Sequence, residues 1–439
     1  MAVREHTTRY LQDLVRINTT NPPGNEVRAA EFLASILRND GFEPQVLEAA
    51  PGRGNLVARL PGDGRAAPLM LMAHLDVVPA EADQWSHAPF SGAHTGGFIW
   101  GRGTLDTKDL VAMELMVMLM LKRERRRLSR DVIFMANADE EAGGNLGAGW
   151  MVREHPDLIR SEYAINEGGG FALEILGHRF FTCQTGEKGT ARFAMRTHGR
   201  PGHASQPHSD NCVLKLAEAV QHIAKAELPV HPTEIVRTFI EGVAAGSDNS
   251  YQSDLRALLD PQKYHLAMEH LPLEQGLCSM FHAMLHNTVT PTILRAGSKI
   301  NVIPSVAEAR CDGRVLPGQT SKDLLGEMRR VLGNEIEIQF LDDTPAFETT
   351  YKTPLFDAIR RTMQRFDRDV PVLPYLVVGA TDARHVRKLG TKVYGFTPMS
   401  GSTSELDRVH GHDERISIEN LGFGTHVLYD LVTDFCSVA

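Results

Sequence analysis

Twice between residues 69 and 109 an apolar run is driven into a polar end. PLMLMA closes on His74-Leu75-Asp76, and further on GFIWGRGTLDTKD carries Asp106 in a turn flanked by Gly101 and Gly103. A short, uninterrupted apolar run bounded by turn residues predicts a strand buried on both faces, as found where helices cover both sides of a mainly parallel sheet. Ligand sites on such sheets lie beyond the carboxyl ends of the strands. A histidine and a carboxylate delivered there are the beginning of a metal site.

The pattern recurs downstream. Residues 131–138 (DVIFMANA) predict a second buried strand, which runs into Asp139-Glu140-Glu141-Ala142-Gly143-Gly144. Residues 163–166 predict a third, ending in Glu167 and three glycines. Helical spacing of apolar residues marks 7–17, then 26–39 with Gly41 as a left-handed cap, then 110–128. The methionines and leucines of the last read as core packing, and its basic end as solvated cations suited to a helix C-terminus. Asp109 is expected to cap this helix. Strands alternating with helices specify an α/β sheet with mainly parallel strands.

At 439 residues the chain exceeds one comfortable core, so two domains are the default. The alternation breaks near residue 186. Strand-like 190–198, a helix over 211–226, strands at 292–302 and 306–315, a helix at 321–332 and a strand at 335–340 follow the ferredoxin-like order. Residues 232–290 read as irregular and partly helical, with no readable order. From about residue 353 the helix–strand alternation resumes and runs to a final helix over 418–432. The expected organisation is a catalytic domain (1–185 and 347–439) interrupted by an inserted ferredoxin-like α+β domain (186–346).

Several function classes are excluded by composition. A formal net charge of −9 disfavours nucleic acid, and no apolar run reaches the roughly 20 residues that span a bilayer. The first residues carry charges where a signal peptide needs an apolar core, so a cytoplasmic location is expected. Five cysteines, odd in number and never spaced as CxxC, read as free, buried thiols in a reducing compartment rather than disulfides or a thiolate zinc site.

The polar residues placed past strands are therefore His74, Asp76, Asp106, Glu140, Glu141, Glu167 and His410. Two imidazoles and several carboxylates without thiolate suit Zn²⁺, Mn²⁺ or Co²⁺. So many carboxylates repel one another unless cations intervene, and two ions relieve this better than one.

HLDVVP, GRGTLDTKD, ADEEAGG, NEGGG, GRPGHAS, NVIPSVAEARCDGRV and VHGHDE stand in the order found in the M20 family of metallopeptidases and deacylases. The resemblance spans nearly the whole chain. It implies His74, Asp106 and Glu167 around one metal, and Asp106, Glu141 and His410 around the other, with Asp106 as bridge and zinc the leading candidate. Asp76 is then the partner that orients His74, and Glu140 the general base. The family spacing selects His410 over His412. Asp109 stands where the family often has glycine.

In the inserted domain the resemblance implies that His203 stabilises an oxyanion in the partner subunit of a homodimer. It also implies that Asn301 and Arg314 contact substrate, Arg314 through a substrate carboxylate. Gly379, Thr381 and Gly401 are expected to line that end of the pocket. The expected activity is hydrolysis of an amide bond in an N-acyl amino acid or small peptide. A dinuclear aminopeptidase or dipeptidase, and a non-catalytic peptide- or metal-binding homologue, remain the alternatives.

Overall fold

The apolar runs become the centre of a sheet. The computed structural model describes residues 2–401 and 403–438, in two compact units. One comprises the chain up to Thr185, Thr349–Tyr375 and the chain from Thr381 onward; the other comprises Gly186–Glu348 and Leu376–Ala380.

The first unit begins with helices α1 (Ala2–Arg16) and α2 (Val27–Asn39) and strands β1 (Gln45–Glu48), β2 (Gly54–Leu60) and β3 (Leu69–His74). Helix α3 (Lys108–Arg123), β4 (Val132–Asn137), β5 (Tyr163–Asn166) and β6 (His178–Glu187) follow. The sheet order is β1-β2-β4-β3-β5, then the strand Lys392–Gly395, then β6. The middle strands pair in parallel, β4 with β3, β3 with β5, and β5 with Lys392–Gly395. Antiparallel pairs flank them. Every residue of β3, β4 and β5 is buried, as strands covered on both faces must be. The parallel register sets His74 level with Asn137 and Leu71 level with Ile165, so three strands end at one edge. Helix α3 packs between α1 and the last helix, Ile418–Cys436. Its methionines Met113, Met116 and Met118 are in the core.

In the second unit β7 (Gly189–His198), α4 (Cys212–Lys225), β8 (Thr288–Ala296), β9 (Val306–Val315), α5 (Ser321–Leu332) and β10 (Glu337–Thr344) run in ferredoxin-like order. They form an antiparallel sheet ordered β8-β9-β7-β10. Alternate residues Ala191, Phe193 and Met195 of β7, and Ala307, Ala309 and Cys311 of β9, meet Leu216 and Ile223 of α4 and Leu324 of α5. This is the period of two that one covered face imposes.

The structure corrects several sequence expectations. Residues 232–290 contain four helices, Glu234–Gly246, Asn249–Ala257, Tyr264–His270 and Gln275–Leu285. Three are of eleven residues or fewer... too short for periodicity to separate them from their connections. An antiparallel pair, Ala172–Ile175 with β6, was not expected. Helix α3 stops at Arg123, where the charged run begins, and its N-cap position is Thr107. Asp109 therefore caps nothing; it lies fully buried in the first turn, and burial pushes its carboxyl well above the usual range. The five cysteines are free thiols. No described helix is long and apolar enough to cross a membrane.

Candidate metal centre

Strand β3 delivers His74 to the sheet edge almost fully buried. Its Nδ1 lies 3.0 Å from the main-chain oxygen of Asp76. A carbonyl only accepts, so in the neutral ring Nδ1 carries the proton and Nε2 keeps its lone pair for the site. Nε2 faces Asp106 Oδ1 at 2.9 Å and Glu167 Oε1 at 3.6 Å. The Asp76 carboxylate stands further off, at 3.5 Å from Nδ1. It accepts instead from Asn21 Nδ2 at 2.8 Å and from the backbone N–H groups of Glu140 and Glu141 at 3.0 and 3.1 Å. Asp76 thus orients His74 chiefly through its main chain and uses its side chain to hold the Glu140–Glu141 turn.

The second oxygen of Asp106, Oδ2, meets His410 Nε2 at 2.9 Å, and Glu141 Oε1 lies 3.3 Å from the same nitrogen. Two groups result, His74 with Asp106 and Glu167, and Asp106 with Glu141 and His410; in each the possible ligand atoms lie within 4.8 Å of one another. Asp106 belongs to both. The peptide between Asp106 and Thr107 is cis.

The electrostatics of these groups call for positive charge. Burial alone would raise Asp106 and lower His74. The contacts to His410 and His74 outweigh it for Asp106, whose carboxyl is held well below the usual range. Glu167, Asp106 and Asp76 outweigh it for His74, which is raised well above its usual value. Hydrogen bonds to Asp106 and Glu141 push His410 up to about 10. Burial, then the charges of Glu167 and Asp382, raise Glu140 well above the carboxylate range. Two imidazole nitrogens and three carboxylates, three donors per group with Asp106 shared, fit a pair of divalent cations with open positions.

The turn Asp139–Gly144 that carries Glu140 and Glu141 is fixed from three sides. Asp139, at φ +73°, accepts from Arg53 Nη2 at 2.8 Å and from the backbone N–H of Leu146 at 2.9 Å. Gly144, at φ +70°, has no room for a side chain: a Cβ there would lie 2.2 Å from Asp382 Oδ1. Asp382 is buried; its Oδ2 accepts from Asn137 Nδ2 at 2.5 Å, and its Oδ1 has no hydrogen-bond partner. Burial pushes its carboxyl up to about 7. Arg384 Nη2 lies 3.4 Å from Glu140 Oε1.

A buried pair holds the other loops. Glu414 Oε1 accepts from the backbone N–H groups of Gly103, Leu105 and Asp106 at 3.0, 2.8 and 3.3 Å, and Oε2 accepts from Arg102 Nη1 at 2.7 Å. Arg102 Nη2 also reaches the main-chain oxygen of His410 at 3.2 Å. Burial raises the Glu414 carboxyl, while the Leu105 N–H and Arg102 work against that rise. Arg102 and Glu414 stand inside the motifs GRGTLDTKD and VHGHDE, whereas Asp382 and Arg384 follow Thr381 outside any of them.

The remaining residues expected at the site are placed as follows. His412 is half-exposed and paired with Glu81 at 3.4 Å, outside both groups. Thr381 is buried, its hydroxyl accepting from Asn166 Nδ2 and the Ala383 N–H, so its oxygen is engaged within the fold. Gly401 donates its N–H to Asn420 Oδ1. In the second unit, His203 Nδ1 accepts from the Ser205 N–H at 3.2 Å, with Ser205 Oγ at 2.7 Å. The proton of the neutral ring is thereby placed on Nε2, as a donor. Asn301 accepts through its main-chain oxygen from the Ala204 N–H and steadies that loop. Arg314 is forked onto Asp312, at 2.6 and 3.2 Å. Gly379 lies in the short Leu376–Ala380 segment of the same unit.

A family model described as peptidase family M20/M25/M40 matches residues 70–434. The sequence is 28% identical over 389 residues to the N-fatty-acyl-amino acid synthase/hydrolase PM20D1 of Xenopus tropicalis, covering 85% of this chain and 73% of that one. It is 27% identical over 426 residues to aminoacylase-1 of Homo sapiens, covering 94% and 91%. The fold is similar to that of an M20 family metallo-carboxypeptidase, Sso-CP2 of Sulfolobus solfataricus, with a TM-score of 0.72, 16% identity, and 97% and 98% of the two chains covered.

Proposed function

Because the chain belongs to peptidase family M20/M25/M40 and is a metal-dependent amide hydrolase of that kind, we propose that it cleaves its substrate with two divalent cations shared across Asp106. One observation carries this reading: the two oxygens of Asp106 each face a different imidazole Nε2, both at 2.9 Å. His74, Asp106 and Glu167 would hold one ion, and Asp106, Glu141 and His410 the second, with zinc favoured by the nitrogen and carboxylate donors. When bound, the ions polarise the scissile carbonyl and acidify the attacking water.

The chain's own residues move the protons. Glu140 takes a proton from the attacking water and passes it to the leaving nitrogen. Its position next to the donor Glu141, on the turn whose Glu140 and Glu141 N–H groups Asp76 holds, supports this role. Arg384 keeps Glu140 at the site through the 3.4 Å contact. His203, with Nε2 as its donor, stabilises the oxyanion of the tetrahedral intermediate in the partner subunit, and Asn301 and Arg314 contact the substrate.

The substrate is an N-acyl amino acid or a small peptide. Relatives named as an aminoacylase and an N-fatty-acyl-amino acid synthase/hydrolase support this class. The working form is a homodimer in the cytoplasm. Exposure of Ile293 and Leu294 on the edge strand β8 supports self-association through the second unit.

Glu140→Gln tests the mechanism. It should keep its metal and lose about 10²–10⁴-fold in kcat; a variant with normal kcat removes Glu140 as the base. Comparing N-acyl amino acids with C-terminally blocked peptides that carry a free amine separates a deacylase from an aminopeptidase.

A further inference from the structure

The donors Asp106 and Glu167 also line a cavity of about 170 Å³. Its apolar lining is supplied by Leu105, Phe171, Met399, Leu406 and Val409, with Thr107 and Thr397 also on the wall. These side chains are continuous with the hydrophobic core, so the hollow is backed by packed structure. Two larger hollows, of about 390 Å³ and 330 Å³, are lined by none of the metal-site donors. Glu140, Asp382 and Arg384 are absent from the walls of the 170 Å³ cavity.

We propose that this cavity receives the acyl group of the substrate and limits it to a short or single-ring apolar group of about six carbons, a size set by comparison with an apolar cavity of about 150 Å³ that holds benzene. The inference rests on the amide-hydrolase reading above. The acyl group is bonded directly to the carbonyl carbon and so begins at the donors that line the cavity. The leaving nitrogen must face Glu140, which places the amino-acid part on the other side, toward Arg384. A long-chain fatty acyl group exceeds the cavity several-fold in length and gains nothing from it beyond the first carbons.

The test is a chain-length series, acetyl to palmitoyl with benzoyl included, on alanine, phenylalanine, glutamate and lysine, using metal-loaded protein. For the amino acid turned over fastest, kcat/KM should rise about fourfold per methylene up to about six carbons, and then level or fall. Phe171→Ala and Met399→Ala, each checked for metal content and circular dichroism, should move the optimum to longer chains. An optimum at palmitoyl in the unmodified protein, or an optimum that neither folded variant moves, overturns the cavity assignment and leaves the hydrolase reading standing. No turnover of any member of the series overturns the deacylase reading itself, and the acyl pocket with it.

Discussion

Replacing Glu414 by glutamine should loosen the candidate metal centre without touching any of its donors. The carboxylate receives four donors, three backbone N–H groups on its Oε1 and the Arg102 guanidinium on its Oε2, and both side chains are essentially without solvent. An amide offers one acceptor and one donor. Whichever way it turns, its NH₂ faces either Arg102 or the Gly103–Asp106 backbone, donor against donor. Removing one partner of a buried pair costs about 3–5 kcal/mol, because the other charge is left unpaired. In a chain of this size that corresponds to a fall of roughly 3–5 °C in the unfolding midpoint. The same change frees the backbone of Asp106 and, through Arg102, that of His410, one residue from each side of the second donor group. Loss of such supporting contacts typically weakens metal binding by about 10–100-fold.

The assay is thermal and urea unfolding of metal-free and metal-loaded protein, with metal affinity measured by competition against a chromophoric chelator. A cycle with Arg102→Met separates the pair from its surroundings: if the charge left on Arg102 is the cost, the double variant should lose less than the sum of the singles. Glu414→Gln within about 0.5 kcal/mol of the parent, with unchanged metal affinity, would refute the argument.

Other outcomes follow from the same geometry. Asp106→Asn replaces one of the two oxygens that face the histidines, and metal analysis should show at most one ion retained; two tightly held ions would exclude Asp106 as the bridge. His74 and His410 have raised pKa values in the metal-free protein, so both carry protons at neutral pH, and cations must displace them. Metal affinity should therefore rise with pH, with protons released on loading; calorimetric enthalpies that do not vary with buffer ionisation would contradict this. By the same sign, the stability these raised histidines give the metal-free protein is complete below their unfolded value of about 6.5. It is lost as pH rises toward about 10, and a metal-free stability that instead rises across that window counts against the assignment. His203→Ala should lower kcat with metal content unchanged, and His203→Gln, which keeps a donor, should recover part of it; equal activity in all three forms would remove the oxyanion role.

His74, Glu140, Glu141 and Glu167 could be located from sequence because each follows a buried apolar run directly, and a parallel sheet brings such run-ends to one edge by local rules alone. His410 needed more. It and His412 lie two residues apart in one loop, and the choice depends on a backbone that turns through φ +61° at His410, aiming that ring at Asp106 while His412 meets Glu81. The supporting residues had no sequence signal of their own. Glu414 binds backbone N–H groups some three hundred positions away, and any residue presents the same N–H to such a carboxylate. Asp76 looked like a carboxylate partner for His74, yet its main-chain oxygen takes the ring proton and its carboxylate serves the next turn. Thr381 accepts from Asn166 Nδ2 through its hydroxyl, a pairing across 215 positions that no motif shows. Motif residues thus reveal which atoms have the chemistry, whereas the backbone partners that hold those atoms within ligand distance belong to long-range pairings that a motif does not encode. The most informative variants are therefore those at Glu414, Arg102 and Asp382, which alter how the donors are held and leave the donors themselves in place.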